Sequence, residues 1–208
     1  MNLTWKSLLA DFLSAIFAGI CIGIAGFGFL SDRSVGMILF IFGLATVVNY
    51  KLKLFTGTAG FVRNKGDMIS LGVILIGNWV GCLLVALAAR LSAMPLQDTA
   101  MHLLEGRLAL GPWQAGVLSI GCGILMTASV TFARKSNEFG HWMPLVMAVP
   151  LFILCGFPHC IADAFYYLVC PWAFWTMNLW QIVLLYMCLV IGNFIGCNLY
   201  RAFVKMPD

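Results

Sequence analysis

The sequence predicts an all-α membrane protein of six transmembrane helices, arranged as two inverted three-helix repeats whose second and fifth helices are broken. Three observations predict it. The 208-residue chain is 62% hydrophobic and only 10% charged, against roughly 45–50% and about 25% in soluble domains. Its apolar residues gather into six long stretches, two of them interrupted. One seven-residue motif recurs in both halves.

Composition excludes several classes. A soluble globule leaves much of its surface in water and cannot conceal so much apolar area; the mean hydropathy is +0.97. Disordered, collagen-like and nucleic-acid-binding chains fail on the same numbers. The net charge of +4 comes from basic residues scattered in short loops and implies no acidic partner and no nucleic acid. Cys21, Cys82, Cys122, Cys155, Cys188 and Cys197 lie inside apolar runs, where a thiol is a small packing group rather than part of a disulfide framework. The first apolar run, 12–30, is longer than the core of a cleavable signal and has Asp11 at its entrance, so it reads as a span.

A spanning helix needs about 20 apolar residues. Residues 8–30, 68–89, 113–132 and 180–200 meet that without interruption. The stretch 35–50 is stopped by Lys51-Leu52-Lys53 and resumes over 54–62. The stretch 143–157 is stopped at Gly156-Phe157-Pro158-His159 and resumes over 160–169. With the N-terminus inside, the inner segments hold Lys6, Arg63, Lys65, Arg134, Lys135, Arg201 and Lys205, and the outer ones Arg33, Arg90 and Arg107. That excess places both termini on the cytoplasmic side.

The third stretch contains Ile76-Gly77-Asn78-Trp79-Val80-Gly81-Cys82 and the sixth Ile191-Gly192-Asn193-Phe194-Ile195-Gly196-Cys197; five of seven positions are identical. A weaker echo links Ile20-Cys21-Ile22-Gly23-Ile24 with Ile120-Gly121-Cys122-Gly123-Ile124. Repeat one thus covers about 8–90 and repeat two about 113–200 of a single transmembrane domain, 1–208. Three spans per half is an odd number, so the halves insert with opposite topology. Inverted repeats with discontinuous helices are typical of transporters and channels. Gly19, Gly23, Gly77, Gly81, Gly192 and Gly196 suit close helix packing.

Backbone that leaves helical geometry within a bilayer must be buried in protein or line a water path, so the two breaks are the candidate site. Thr56 and Thr58 supply hydroxyls at the first, beside Leu54 and Phe55; His159 stands at the second. His159 has an unperturbed pKa near physiological pH and lies deep in an apolar stretch, where an ionisable group is expensive unless functional. Asp163, four residues on, shares a helical face with it, and either accepts a hydrogen bond from His159 or pairs elsewhere. His102 and His141 read as solvated residues of short connections. Cys155, Cys160 and Cys170 near His159 lack zinc-like spacing, so no metal and no cofactor is expected. Lys51 and Lys53 are either an anion-attracting rim or lysines that snorkel to the interface.

With these motifs in hand, the chain resembles the formate/nitrite transporter family. Lys53-Leu54-Phe55-Thr56-Gly57 is similar to that family's Leu-Phe-Thr loop, and Gly156-Phe157-Pro158-His159-Cys160-Ile161-Ala162-Asp163 to its Gly-Phe-Glu-His-x-x-Ala-Asn segment; Gly192-Asn193 also fits. The likeness spans all six stretches. It implies an aquaporin-like fold in a homopentamer with one pore per protomer, held in a bacterial cytoplasmic membrane and contacting lipid. The substrates implied are small monovalent anions or their weak acids. Carried over by position, Thr56 and His159 face each other at the pore centre. Phe40, Leu44 and Phe152, with Leu54 and Phe55, form the constriction, and Lys53 and Arg107 are the vestibule cations. This chain departs from the pattern at Lys53 and Pro158, where the family has acids, and at Asp163, where it has Asn. The family's Asn in the fourth span has no counterpart in 118–124.

The expected function is a channel for formate-, nitrite- or hydrosulfide-class anions or their conjugate acids, proton-linked through His159. A neutral-solute pore for water, ammonia or urea is the alternative, although neither break carries an Asn-Pro-Ala motif. An enzyme built on His159 and Asp163 is not expected, because the chain has few intramembrane acids to share catalytic roles.

Overall fold

The protein's structure, a computed structural model, describes residues 4–135 and 138–203; Lys205, counted above toward orientation, lies outside the described residues. The chain runs α1 (Trp5–Ser31), α2 (Arg33–Asn49), α3 (Phe55–Thr58) with a 3-10 turn (Ala59–Phe61), and α4 (Lys65–Arg90). It continues with α5 (Leu96–Ala133), α6 (Phe139–Leu154), α7 (Cys160–Val169) and α8 (Trp172–Phe203). No strand occurs among the described residues. Helices α1, α4, α5 and α8 are each long and apolar enough to cross a membrane.

Local chemistry sets the helix starts. Thr4 and Ser7 form a reciprocal capping box at α1, and Asp32 accepts the Ser34 and Val35 N–H groups at α2, both at 2.9 Å. Asn64 accepts the Asp67 N–H to open α4. The two breaks end their helices in the same way. At the first, Lys51 adopts φ 54° while its N–H and that of Leu52 donate to Val48 and Val47 at 3.1 and 2.9 Å. At the second, Gly156 adopts φ 68° while its N–H and that of Phe157 donate to Ile153 and Phe152 at 3.0 and 2.9 Å. Both are Schellman-type stops with a left-handed residue after the helix.

Helix α1 packs on α4, and the later part of α5 on α8, through glycines. A side chain at Gly81 would collide with the Ile16 carbonyl, and one at Gly196 with that of Ile120. Large apolar side chains such as Leu13, Phe17, Ile69, Ile76 and Leu84 face outward and are about half exposed or more. A belt of that kind suits lipid or another protein surface rather than water.

Three expectations are corrected. The connection ahead of the fourth stretch is helical: α5 begins at Leu96 and buries Leu96, Ala100 and Leu104 before a hinge at Gly111, φ 79°, followed by Pro112. Pro112 suits the first position of a new helical segment and breaks the one before it, so the expected start at 113 marks this hinge. Helix α8 starts at Trp172, eight residues earlier than expected, because its first two turns are helix with outward-facing Trp172 and Met177. His141 lies in the first turn of α6 and is half-buried rather than solvated.

Gly81→Ala and Gly196→Ala are expected to cost about 2–3 kcal/mol each, since backbone rather than a flexible side chain must move. Gly72→Ala, with open space around it, should change stability by less than about 0.5 kcal/mol. Unfolding of the purified protein in detergent would read both.

Candidate functional site

Ending a helix in an apolar interior strands backbone N–H and C=O groups that water would otherwise satisfy. Two asparagines take that place. Asn78 of α4 accepts the Phe55 N–H at 2.9 Å and donates to the carbonyls of Lys53 and Ala15 at 2.9 and 2.8 Å. Asn193 of α8 accepts the Cys160 N–H at 2.8 Å and donates to Pro158 and Ser119 at 3.0 and 2.7 Å. Each therefore fixes the start of a short helix and ties it to a long one. The paired cysteines reach elsewhere: Cys82 contacts the Ile161 carbonyl at 3.5 Å and Cys197 that of Thr56 at 3.3 Å. All eight cysteines are free. The carbonyl ends are closed by arginines, Arg90 on Leu168 and Cys170 and Arg201 on Val62. The sequence flagged these asparagines as a repeat but not as the groups that hold the breaks.

So positioned, the first turn of α3 meets the start of α7. Thr56 Oγ1 and His159 Nε2 are 2.8 Å apart, and the two residues are 1% and 3% exposed. His159 is also the N-cap of α7, its Nδ1 accepting the Ala162 N–H at 3.1 Å. In the neutral ring Nδ1 is thus the acceptor and Nε2 carries the hydrogen that it donates to Thr56, an assignment made from the hydrogen-bond network. The threonine hydroxyl keeps its own hydrogen to offer elsewhere. Above the imidazole lies Phe152, ring centroids 5.8 Å apart, and Phe40 meets Phe152 edge-on at 6.1 Å. Leu44, Leu54 and Phe55 are buried as well.

A cavity lies toward each end of α2 and α6. One, of about 650 Å³, is lined by Val48, Lys51, Lys53, Phe61, Arg134 and Trp142 among others. The other, of about 280 Å³, is lined by Phe29, Arg33, Arg107, Phe152, His159 and Asp163 among others. Lys53 and Arg107 thus border opposite cavities, and each faces an acid. Lys53 Nζ is 3.5 Å from Asp11, which also accepts from the Ser70 hydroxyl. Arg107 Nε is 3.5 Å from Asp163, and its Nη1 donates to the Gly156 carbonyl at 2.5 Å. Of the two alternatives for Asp163 it is the pairing elsewhere that occurs: Asp163 faces Arg107, and both ring nitrogens of His159 have other partners. His102 is exposed beside Glu105. Among the described residues no group of three or more His, Cys, Asp or Glu could hold a metal ion.

Comparison with known proteins places these features in context. The family model described as formate/nitrite transporter matches residues 2–206. The chain is 25% identical over 188 residues to the formate channel FocA of Haemophilus influenzae, covering 77% of this chain and 66% of that protein, just under two thirds of its length. Its fold is similar to that of a pentameric formate channel solved with formate bound, at TM-score 0.79 and 25% identity, covering 95% of both chains. A solved ion channel of the same family shares the fold at TM-score 0.67 and 19% identity, covering 93% of this chain and 86% of that one.

Asn193→Leu removes one acceptor and two donated bonds from buried backbone at once. It is expected to destabilise the protein by about 3 kcal/mol or more, read as a lowered unfolding midpoint in detergent.

Proposed function

The chain belongs to the formate/nitrite transporter family, an integral membrane transport family, and on that premise we propose that it is a channel for small monovalent anions or their conjugate weak acids. The substrate class is that of formate, nitrite and hydrosulfide, with transport linked to protons through His159. One observation carries the reading: a buried threonine–histidine pair where two helix breaks meet, between cavities at opposite ends of the same two helices.

The architecture that serves this function is six crossings: α1, α2 with α3, α4, the part of α5 after Gly111, α6 with α7, and α8. They form inverted repeats, about 8–90 and 113–200, in an aquaporin-like arrangement. The like construction of the breaks supports this, since the same stop, asparagine and cysteine occur at each. By analogy with the pentameric relative, the assembly is a homopentamer with a passage in each protomer. Its apolar outer faces meet lipid or neighbouring copies, in a bacterial cytoplasmic membrane with both termini cytoplasmic.

A bare anion entering the zone of Phe40, Leu44, Leu54, Phe55 and Phe152 would lose its hydration, at a cost of several kcal/mol even after relaxation. The acid avoids that cost. Lys53 and Arg107 stand at the approaches and Thr56 offers a hydroxyl to an arriving oxygen. His159 takes up a proton at Nδ1, giving up the Ala162 bond, and passes the Nε2 hydrogen to the anion. The acid crosses uncharged and leaves the ring neutral as its Nδ1–H tautomer; exchange that moves the hydrogen back from Nδ1 to Nε2 restores the Ala162 bond.

His159→Asn tests the proton role, because asparagine still caps α7 while the titrating ring is gone. Formate uptake into proteoliposomes should lose its rise toward acid pH; uptake with unchanged pH dependence would refute the role. Formate, nitrite and hydrosulfide should enter wild-type liposomes at least about ten-fold faster than glycerol and urea, and the reverse order would establish a neutral-solute pore.

A further inference from the structure

Next to His159, in the cavity toward the Arg33 end of α2, a guanidinium and a carboxylate face each other. Arg107 arrives from the first part of α5 and Asp163 from the first turn of α7, with side chains 13% and 1% exposed. Nε and Oδ2 are 3.5 Å apart, yet neither atom has a hydrogen-bond partner. The guanidinium is held instead by the Gly156 carbonyl, 2.5 Å from Nη1. The second break therefore places Arg107, and the carboxylate adds chiefly its charge. Opposite unit charges this close act on a third charge as a dipole: an anion drawn to Arg107 is repelled nearly as strongly by Asp163, and burial strengthens both effects. The remaining charges on this cavity stand at its rim, where water and salt screen them. Arg33 is exposed there, 5.7 Å from the Phe29 ring, and His102 is exposed beside Glu105.

We propose that Asp163 is a charge-selectivity residue: by masking Arg107 it leaves the passage beside His159 without net charge. The cavity then does not accumulate the bare monovalent anion, which stays only long enough to take a proton from His159 and crosses as the uncharged weak acid. This rests on the channel reading above and adds to it what Asp163 does there. Asp163 acts through Arg107 and is a positioning residue of the site rather than a group that handles the proton.

Asp163→Asn removes the charge and keeps the side-chain shape. The probe is formate at pH 7.5, where a carboxylate is ionised, and two readouts use the purified full-length protein: calorimetric binding in detergent and current across a planar bilayer. The variant is expected to bind formate about ten-fold or more tightly than wild type, and a formate current near background in wild type should appear. Adding Arg107→Gln to Asp163→Asn should abolish both gains. Equal binding in wild type and Asp163→Asn would overturn the proposal, as would a gain that survives loss of Arg107. The wild-type protein supplies a check that needs no variant: formate should bind no more tightly than formamide, its uncharged analogue of like size, and a ten-fold preference for formate would overturn the proposal. Binding changes as expected, with no formate flux at any pH in any of these proteins, would sink the channel reading and leave the masking of Arg107 intact.

Discussion

Every feature of the site depends on a backbone constraint. A helix can stop inside an apolar medium only if the polar groups it strands are satisfied by protein. Asn78 and Asn193 meet that demand, each with one accepted and two donated hydrogen bonds. Remove the side-chain amides and the starts of α3 and α7 lose the anchors that bring Thr56 and His159 to 2.8 Å. The site is thus positioned by side-chain amides on two long helices, α4 and α8.

The seven-residue repeat condenses that construction. Its asparagine binds the break of its own half, its last glycine admits the backbone of that half's first long helix, α1 or α5, and its cysteine reaches the short helix of the other half. Each half is therefore braced internally by amide and glycine and joined to its counterpart by a thiol. Hydrogen bonds from thiols are weak, so the crossed contacts serve mainly as close packing that keeps α3 and α7 abutted.

Much of this was legible in the sequence because the signals were local. Lys51-Leu52-Lys53 and Gly156-Phe157-Pro158 announce breaks by chemistry that resists continued helix, and the stops fall there. His159 and Thr56 stood out as polar residues in apolar runs, and the structure brings them together. What could not be read depends on distant parts of the chain. Nothing near Asp163 reveals that Arg107, 56 positions earlier, will face it. The helix over 96–110 was obscured because polar residues on its outer side hid a buried stripe of Leu96, Ala100 and Leu104. At the start of α8 Phe174 is buried but Trp172 and Met177 face outward, and Thr176 and Asn178 interrupt the apolar run that a span would show.

Charge is arranged in pairs on either side of an uncharged zone. Lys53 and Arg107, cations bordering opposite cavities, each face a carboxylate, while the zone between holds a hydroxyl, an imidazole and apolar rings. A fixed buried charge in that zone would bind an opposite ion strongly and repel a like one, and both outcomes slow passage. An imidazole differs because it can carry charge transiently. Its neutral form here is tied at both nitrogens, Nδ1 to the backbone of α7 and Nε2 to Thr56, so taking up a proton at Nδ1 costs the Ala162 hydrogen bond, which returns only when Nδ1 is bare again. The helix cap therefore favours the tautomer that carries its hydrogen on Nε2. Helix ends, amide anchors and paired charges together leave the centre without a fixed ion.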